Sequence, residues 1–403
     1  MEKANKRNVA IEFWRFFFAI AILGYHIGVI LAPRAMNGII EPSNWMAGAG
    51  EILFVFTLTA GYFLAKHFKR LQKDTEYQKE TASKRAWQYL WGRIKALVPV
   101  LALGIILGII SVAAFNGTTP KETLLSLLNG LWEFLGLYSA GFPATFGQAN
   151  GAMWFISGLL ICSYFLYYGM CKDEDKTSGL IVPAIFVFLG GWWAWNGTRA
   201  AQVAWSTFGI QQATNPAVIG TPITDAVIGF NNGLLFVLVG MCGGILLYYA
   251  IEKLKTLKYG TTQKVLLTLL YAAVATLLVI YTINPTFISG AYNITNNTTG
   301  GNLSRWTVHL LCILLVGLTL LEKDGITQLL NNKVTAKLFN YLGGASLYIY
   351  MLHMPFIYFY VVIKGKAPAV PYSWAEVFWV VSIISVILGS AVKYLMDKYV
   401  IKR

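Results

Sequence analysis

Residues 12–31 read EFWRFFFAIAILGYHIGVIL, an apolar run long enough to cross a bilayer that still carries Glu12, Arg15 and His26. Charged and titratable side chains are costly in hydrocarbon, and where they occur they mark functional paths by default. Arg15 and His26 are eleven residues apart. At 100° per residue that spacing is three turns plus about 20°, so both project from one face of a helix, about 16 Å apart along its axis. A cation near one membrane surface and a titratable base deeper on the same stripe suit chemistry that links the two sides. Glu12, three residues before Arg15, pairs with it on that face. The plainer reading of Arg15 is a side chain that snorkels to the headgroups with Glu12 as its partner.

The rest of the chain extends this pattern. Of 403 residues, 56% are hydrophobic and 12% charged, with a mean hydropathy of +0.57. A soluble protein carries about twice that charge fraction. The apolar residues fall in blocks, predicting an all-α polytopic bundle of about ten transmembrane helices. The expected spans are 10–31, 47–65, 97–115, 152–170, 179–195, 233–251, 264–283, 304–321, 340–363 and 374–393. The second is short and the fifth contains Pro183. One transmembrane domain over 1–403 is expected, with no separate soluble domain and a first helix that is retained rather than cleaved as a signal.

The net charge of +14 does not imply nucleic acid, because its distribution follows topology. Alternate segments collect the cations: Lys3 to Arg7, Lys66 to Lys95, Lys172 and Lys176, Lys253 to Lys264, Lys323 to Lys337, and Lys393 to Arg403. The intervening segments hold only Arg34, Lys121, Arg199, Lys364 and Lys366. The positive-inside rule then puts both termini in the cytoplasm. Cys162, Cys171, Cys242 and Cys312 have no metal-ligand or disulfide spacing. No metal and no bound cofactor are expected.

Further polar residues interrupt later spans. His353 follows Ser346 by two turns and Tyr350 by three residues, and Pro355 loosens the backbone just beyond. Glu51 lies about one turn into the second span, at a depth similar to that of His26. Two readings of it stand: a carboxylate that orients His26, or an interfacial glutamate facing water. Arg305 and His309 are i,i+4 on the eighth span, either to bind an anionic acceptor or to line the boundary. The loop from Lys66 to Lys95 is a solvated basic linker or a phosphate-binding surface. Residues 121–138 predict a short interfacial helix with Leu124, Leu125, Leu127, Leu128 and Leu131 apolar. No Gly-rich phosphate loop, His-Glu-x-x-His or Gly-x-Ser-x-Gly is present, so any chemistry falls to the intramembrane histidines.

Taken in order, these residues resemble the acyltransferase-3 family of integral membrane acyltransferases. The resemblance covers nearly the whole chain. It rests on Arg15-x10-His26 with Glu12 before it, an aromatic second helix ending at Ala60-Gly61, a basic stretch with Arg93 before Pro99, Trp154-Phe155, and Ser346-x-x-x-Tyr350-x-x-His353. Three positions depart from the family pattern. Ala60 stands where serine is common, Ala96 where a second arginine is usual, and no glutamate follows Trp154-Phe155.

The resemblance implies transfer of an acyl group, usually acetyl, from cytoplasmic acyl-CoA to a carbohydrate or lipid-linked glycan at the outer face of a bacterial inner membrane. Acetyl-CoA would be a donor substrate, not a bound cofactor. Arg15 with Glu12, and Arg93 with Lys95, would hold its phosphates. Lysine reproduces a bidentate phosphate grip only loosely. His26, helped by Glu51, would act as general base, and His353 and Tyr350 would orient groups or stabilise the oxyanion. Ser346, Trp154, Arg305 and His309 would contact the acceptor. Direct transfer and a transient acyl-histidine both stand, and direct transfer needs only one base. The rival from another class is a secondary transporter that uses intramembrane Arg, His and Glu for substrate or proton coupling, although no internal repeat is visible.

Overall fold

Asn8 starts the first helix, and its side chain explains why the helix begins there. Asn8 Oδ1 accepts from Ile11 N at 3.0 Å, while Nδ2 donates to Thr319 O at 3.0 Å and Glu322 Oε1 at 2.6 Å. Helix α1 (Val9–Tyr25) then continues without a break through π-helical turns at His26–Leu31 and a last α turn at Ala32–Arg34. The computed structural model describes residues 8–135, 150, 153–191, 232–287 and 300–399. The remaining helices are α2 (Ala49–Leu71), α3 (Thr75–Lys79), α4 (Ala82–Asn116), α5 (Pro120–Phe134) and α6 (Met153–Lys172). A helix of alternating α and π turns follows from Glu174–Lys176 to Ile185–Leu189 and is called α7. Then come α8 (Asn232–Lys255), α9 (Thr261–Ile283), α10 (Gly300–Leu321), α11 (Gly325–Leu330), α12 (Lys333–Lys364) and α13 (Trp374–Tyr399).

The fold is all-α, with eight helices among the described residues long and apolar enough to cross a membrane. Eight of the ten expected spans coincide with them. The fifth is α7, where Pro183 has no N–H to donate and π turns stand on both sides of it. The eighth is α10, a helix of 22 residues whose described apolar part is Trp306–Leu321. The interfacial helix expected at 121–138 is α5, with Leu124, Leu125, Leu127 and Leu128 all exposed. The side chain of Leu131 lies outside the described residues. Residues 192–231, which include the end of the fifth expected span, also lie outside the described residues.

Six helices close a ring. α1 packs on α12, α12 on α4, α4 on α6, α6 on α8, α8 on α2, and α2 back on α1. Association inside lipid depends on close backbone approach, which small residues permit. A Cβ on Gly61 would strike the Met241 backbone, and one on Gly244 would strike that of Leu58, so α2 and α8 touch through glycine from both sides. α1 and α12 use the same device, since a Cβ on Gly343 would lie 2.5 Å from the Glu12 side chain.

Contacts between helix ends hold the cation-bearing ends of α2 and α4 against the end of α6 and the start of α7. Lys69 of α2 pairs with Glu174, and Arg85 Nη2 of α4 donates to Cys171 O at the end of α6 at 2.7 Å. Helix α4 has 35 residues, about 52 Å at 1.5 Å per residue, so it outreaches a hydrocarbon core. Its basic first half carries Trp87 and Trp91, both exposed and stacked with ring centroids 6.1 Å apart. An exposed tryptophan pair beside lysines is the composition of a membrane interface. All four cysteines are buried free thiols.

Candidate active site

His26 and His353 meet. His26 is 9% exposed and His353 fully buried. His26 Nδ1 lies 2.9 Å from His353 Nε2, and His353 Nδ1 lies 2.6 Å from Tyr350 O. These contacts assign protons. A backbone carbonyl only accepts, so His353 Nδ1 carries a hydrogen and donates it to Tyr350 O. With the imidazoles neutral, His353 Nε2 is then an acceptor, and His26 Nδ1–H donates to it. His26 Nε2 is left with its lone pair. The chain Tyr350 O, His353, His26 therefore runs in one direction and ends on an imidazole base.

Local structure places both rings. His26 is the first residue of the π turns in α1, and such turns are frequent at functional sites. His353 lies two residues before Pro355, inside α12. α1 and α12 are closely packed, so the two rings approach with centroids 4.8 Å apart. Trp374 Nε1 of α13 donates to Gly24 O at 3.2 Å, tying the backbone just before His26 to a third helix.

A cavity of about 280 Å³ lies inside the ring, lined from α1, α2, α4, α6 and α12. Arg15 and Arg93 supply its cations, Thr59 and Ser346 its hydroxyls, and Phe56, Phe155, Leu159 and Leu160 much of its apolar wall. Ser346 donates its hydroxyl hydrogen to Gly343 O at 2.7 Å, so only its lone pairs are free to face the space. Tyr350 also lines the cavity, and its ring centroid is 5.8 Å from that of His353. Arginines and histidines are thus joined by one cavity and one tyrosine. Arg15 reaches the same α12 face as His26, as the eleven-residue spacing requires.

The arginines are held from behind. Arg15 Nη1 binds Glu12 Oε2 at 3.1 Å and Oε1 at 3.3 Å. The carboxylate is buried, and the guanidinium is 34% exposed. Its other N–H donors are unspent among the described residues. Arg93 lies over the ring of Tyr89, 4.8 Å from the centroid, and Tyr89 stacks on Tyr167 at 4.2 Å with the planes 5° apart. The Tyr167 hydroxyl hydrogen-bonds His67 Nδ1 at 3.1 Å and the Tyr77 hydroxyl at 3.0 Å. Burial pushes the Tyr77 hydroxyl above its ordinary pKa, so it stays a neutral donor in this network.

Other expected site residues fall elsewhere. Glu51 meets His309 rather than His26, with Oε2 3.1 Å from His309 Nε2. Glu51 lies in the first turn of α2, and its azimuth turns it toward α10. His309 also stacks on Phe54, with centroids 4.3 Å apart. Trp154 packs against Phe155 and Phe236, and it is Phe155 that lines the cavity. Lys95 is exposed and does not line it. The Arg305 side chain lies outside the described residues.

Sequence reasoning overlooked three positions. Arg85 is buried, with Nη1 donating to Gln78 Oε1 at 2.7 Å, and reads in sequence as one more cation of a basic loop. Tyr89 falls four residues after Arg85 and four before Arg93, and that spacing would have shown the shared stripe. Asn150 is a buried amide at the start of an apolar segment. No cluster of three or more His, Cys, Asp or Glu suited to a metal ion occurs among the described residues.

No curated protein and no solved structure matches the chain. Residues 8–395 match the family model described as Acyltransferase domain, and the matched stretch holds Arg15, Arg93, both histidines of the pair and every helix of the ring. The chain therefore belongs to the acyltransferase-3 family and is a membrane acyltransferase.

Proposed function

We propose that this acyltransferase takes its acyl group, acetyl being the expected one, from acyl-CoA. The acceptor is a hydroxyl of a cell-surface or lipid-linked carbohydrate. The directed hydrogen-bond chain that ends on His26 Nε2 carries this reading. The clustering of cations at the end of the bundle where the arginines sit supports a cytoplasmic position for that end. The phosphates of the donor would bind Arg15 and Arg93, through the charge-assisted pairing that guanidinium favours. The apolar wall suits the pantetheine arm, and the thioester would come to rest beside Tyr350.

The proton accounting is simple. His26 Nε2 removes the proton of the acceptor hydroxyl as its oxygen attacks the thioester carbon. The C–S bond breaks, and the departing thiolate takes up the proton held by His26, giving free CoA and the ester. His353 keeps His26 in the required tautomer and shares the positive charge that develops on the pair. The bacterial inner membrane is the expected location, since a cytoplasmic donor and a surface glycan meet only across it.

Purified full-length protein in nanodiscs, given acetyl-CoA labelled in the acetyl group, tests the proposal. Saturable binding with slow release of labelled acetate is expected without an acceptor, and label should move to surface glycans in membranes that contain the protein. Absence of saturable acetyl-CoA binding would overturn the donor assignment.

A further inference from the structure

Pro355 lies inside α12 and carries no N–H. The carbonyl that an N–H at this position would serve is four residues back, on Met351. A carbonyl left unpaired in an apolar bundle is costly, and proline in a membrane helix is tolerated where another group takes its place. The replacement here comes from outside the helix. Asn150 Nδ2 donates to Met351 O at 2.8 Å and to Gly104 O at 3.3 Å. Both partners are carbonyls, so the amide must present its nitrogen and not its oxygen. Asn150 is 2% exposed, and its two hydrogens join α4 to α12.

The position of this bridge matters more than its strength. Met351 falls between Tyr350, whose carbonyl sets the His353 tautomer, and His353 itself. Pro355 removes the local bond that would otherwise fix the backbone of this turn. Without it, the height and rotation of His353 depend on what holds Met351 O. We infer that Asn150 is a positioning residue for His353: by capping the carbonyl freed by Pro355, it sets the ring against His26. Asn150 does not line the cavity and acts through the α12 backbone. The consequence for catalysis rests on the reading of the histidine pair given above, whereas the cap does not.

A double-mutant cycle tests it, because alanine at 355 supplies the missing N–H and makes Asn150 dispensable. Asn150→Ala, Pro355→Ala and the double variant are made in the full chain and read by thermal melting and by acyl transfer. Asn150→Ala alone should lower kcat about 10- to 100-fold, with KM for the acyl donor changed less than about twofold. It should also lower the melting temperature by about 2–4 °C. In the Pro355→Ala background, the melting penalty of Asn150→Ala should fall to less than about half. Asn150→Asp, which keeps the size but offers oxygens to two carbonyls, should behave like alanine.

Equal melting penalties in the two backgrounds, full kcat in Asn150→Ala, or a loss confined to KM would each overturn the inference. Should Asn150→Ala fail to fold, recovery of the double variant supports the cap, and equal failure of both refutes it. A cycle that couples in melting while no acyl-CoA is turned over would leave the cap standing and sink the proposed function instead.

Discussion

Two buried histidines in this bundle are held by opposite means. His309 leans on a carboxylate, Glu51 Oε2 at 3.1 Å, with the Phe54 ring stacked over it. His26 leans on another imidazole, which in turn leans on a backbone carbonyl. The carboxylate pair stabilises a charged ring wherever one forms, and is suited to holding helices α2 and α10 together. The imidazole pair has no fixed counter-charge and instead defines which nitrogen is basic. Neither imidazole of the second pair lines the cavity with arginines in its wall, but Tyr350, which does, lies beside His353. An imidazole with a defined lone pair suits proton transfer, and a carboxylate–imidazole contact between two helices suits structure.

Substitutions separate the two pairs. His26→Ala removes the proposed base and should lower kcat by about 10³-fold, with acyl-CoA binding retained, because general-base contributions run about 10²–10⁴-fold. Binding by isothermal titration beside a transfer assay checks both halves. His353→Ala leaves His26 free to rotate and to change tautomer, and should lower kcat by about 10²-fold; a kcat near wild type would detach His353 from the chemistry. Arg93→Ala should raise KM for acyl-CoA about tenfold with kcat nearly unchanged, the loss expected for one charge-assisted contact to phosphate. Glu51→Gln keeps a hydrogen-bond acceptor for His309 and should leave kcat within about threefold while lowering the melting temperature by about 2–4 °C. A loss with Glu51→Gln as large as that with His26→Ala would erase the contrast between the two pairs.

What was legible in the sequence follows from how each signal arises. Arg15 and His26 stood out because polar groups in hydrocarbon are rare, and their shared face follows from helical geometry alone. Both lie at or before the start of the π turns, so the 100° extrapolation holds between them. The fifth span departs from a regular helix for a reason that hydropathy does not report, since it counts apolar residues and not helix regularity, as Pro183 in α7 shows. The partner of Glu51 was not legible. Depth in the membrane can be read from position along a span, but azimuth depends on which helices are neighbours, and α2 turns Glu51 toward α10. The contact of His353 with His26 was hidden for the same reason, since it needs the packing of α1 on α12. Asn150 carried a signal only in combination. A proline deep in a membrane helix demands a donor for the carbonyl four residues before it, but the sequence does not say which segment brings one. The acyltransferase assignment now rests on the family match over residues 8–395, which displaces the transporter alternative.

The protons of the histidine pair can be located directly. The chain has four histidines, so a sample labelled with 15N in the imidazole rings gives four sets of signals, and His26→Ala and His353→Ala assign two of them. Solid-state NMR of the protein in lipid at neutral pH should show both rings with hydrogen on Nδ1 and an unprotonated Nε2. A proton on Nε2 of His353, or on Nε2 of His26, would contradict the account, because the lone pair would then not be where acyl transfer requires it.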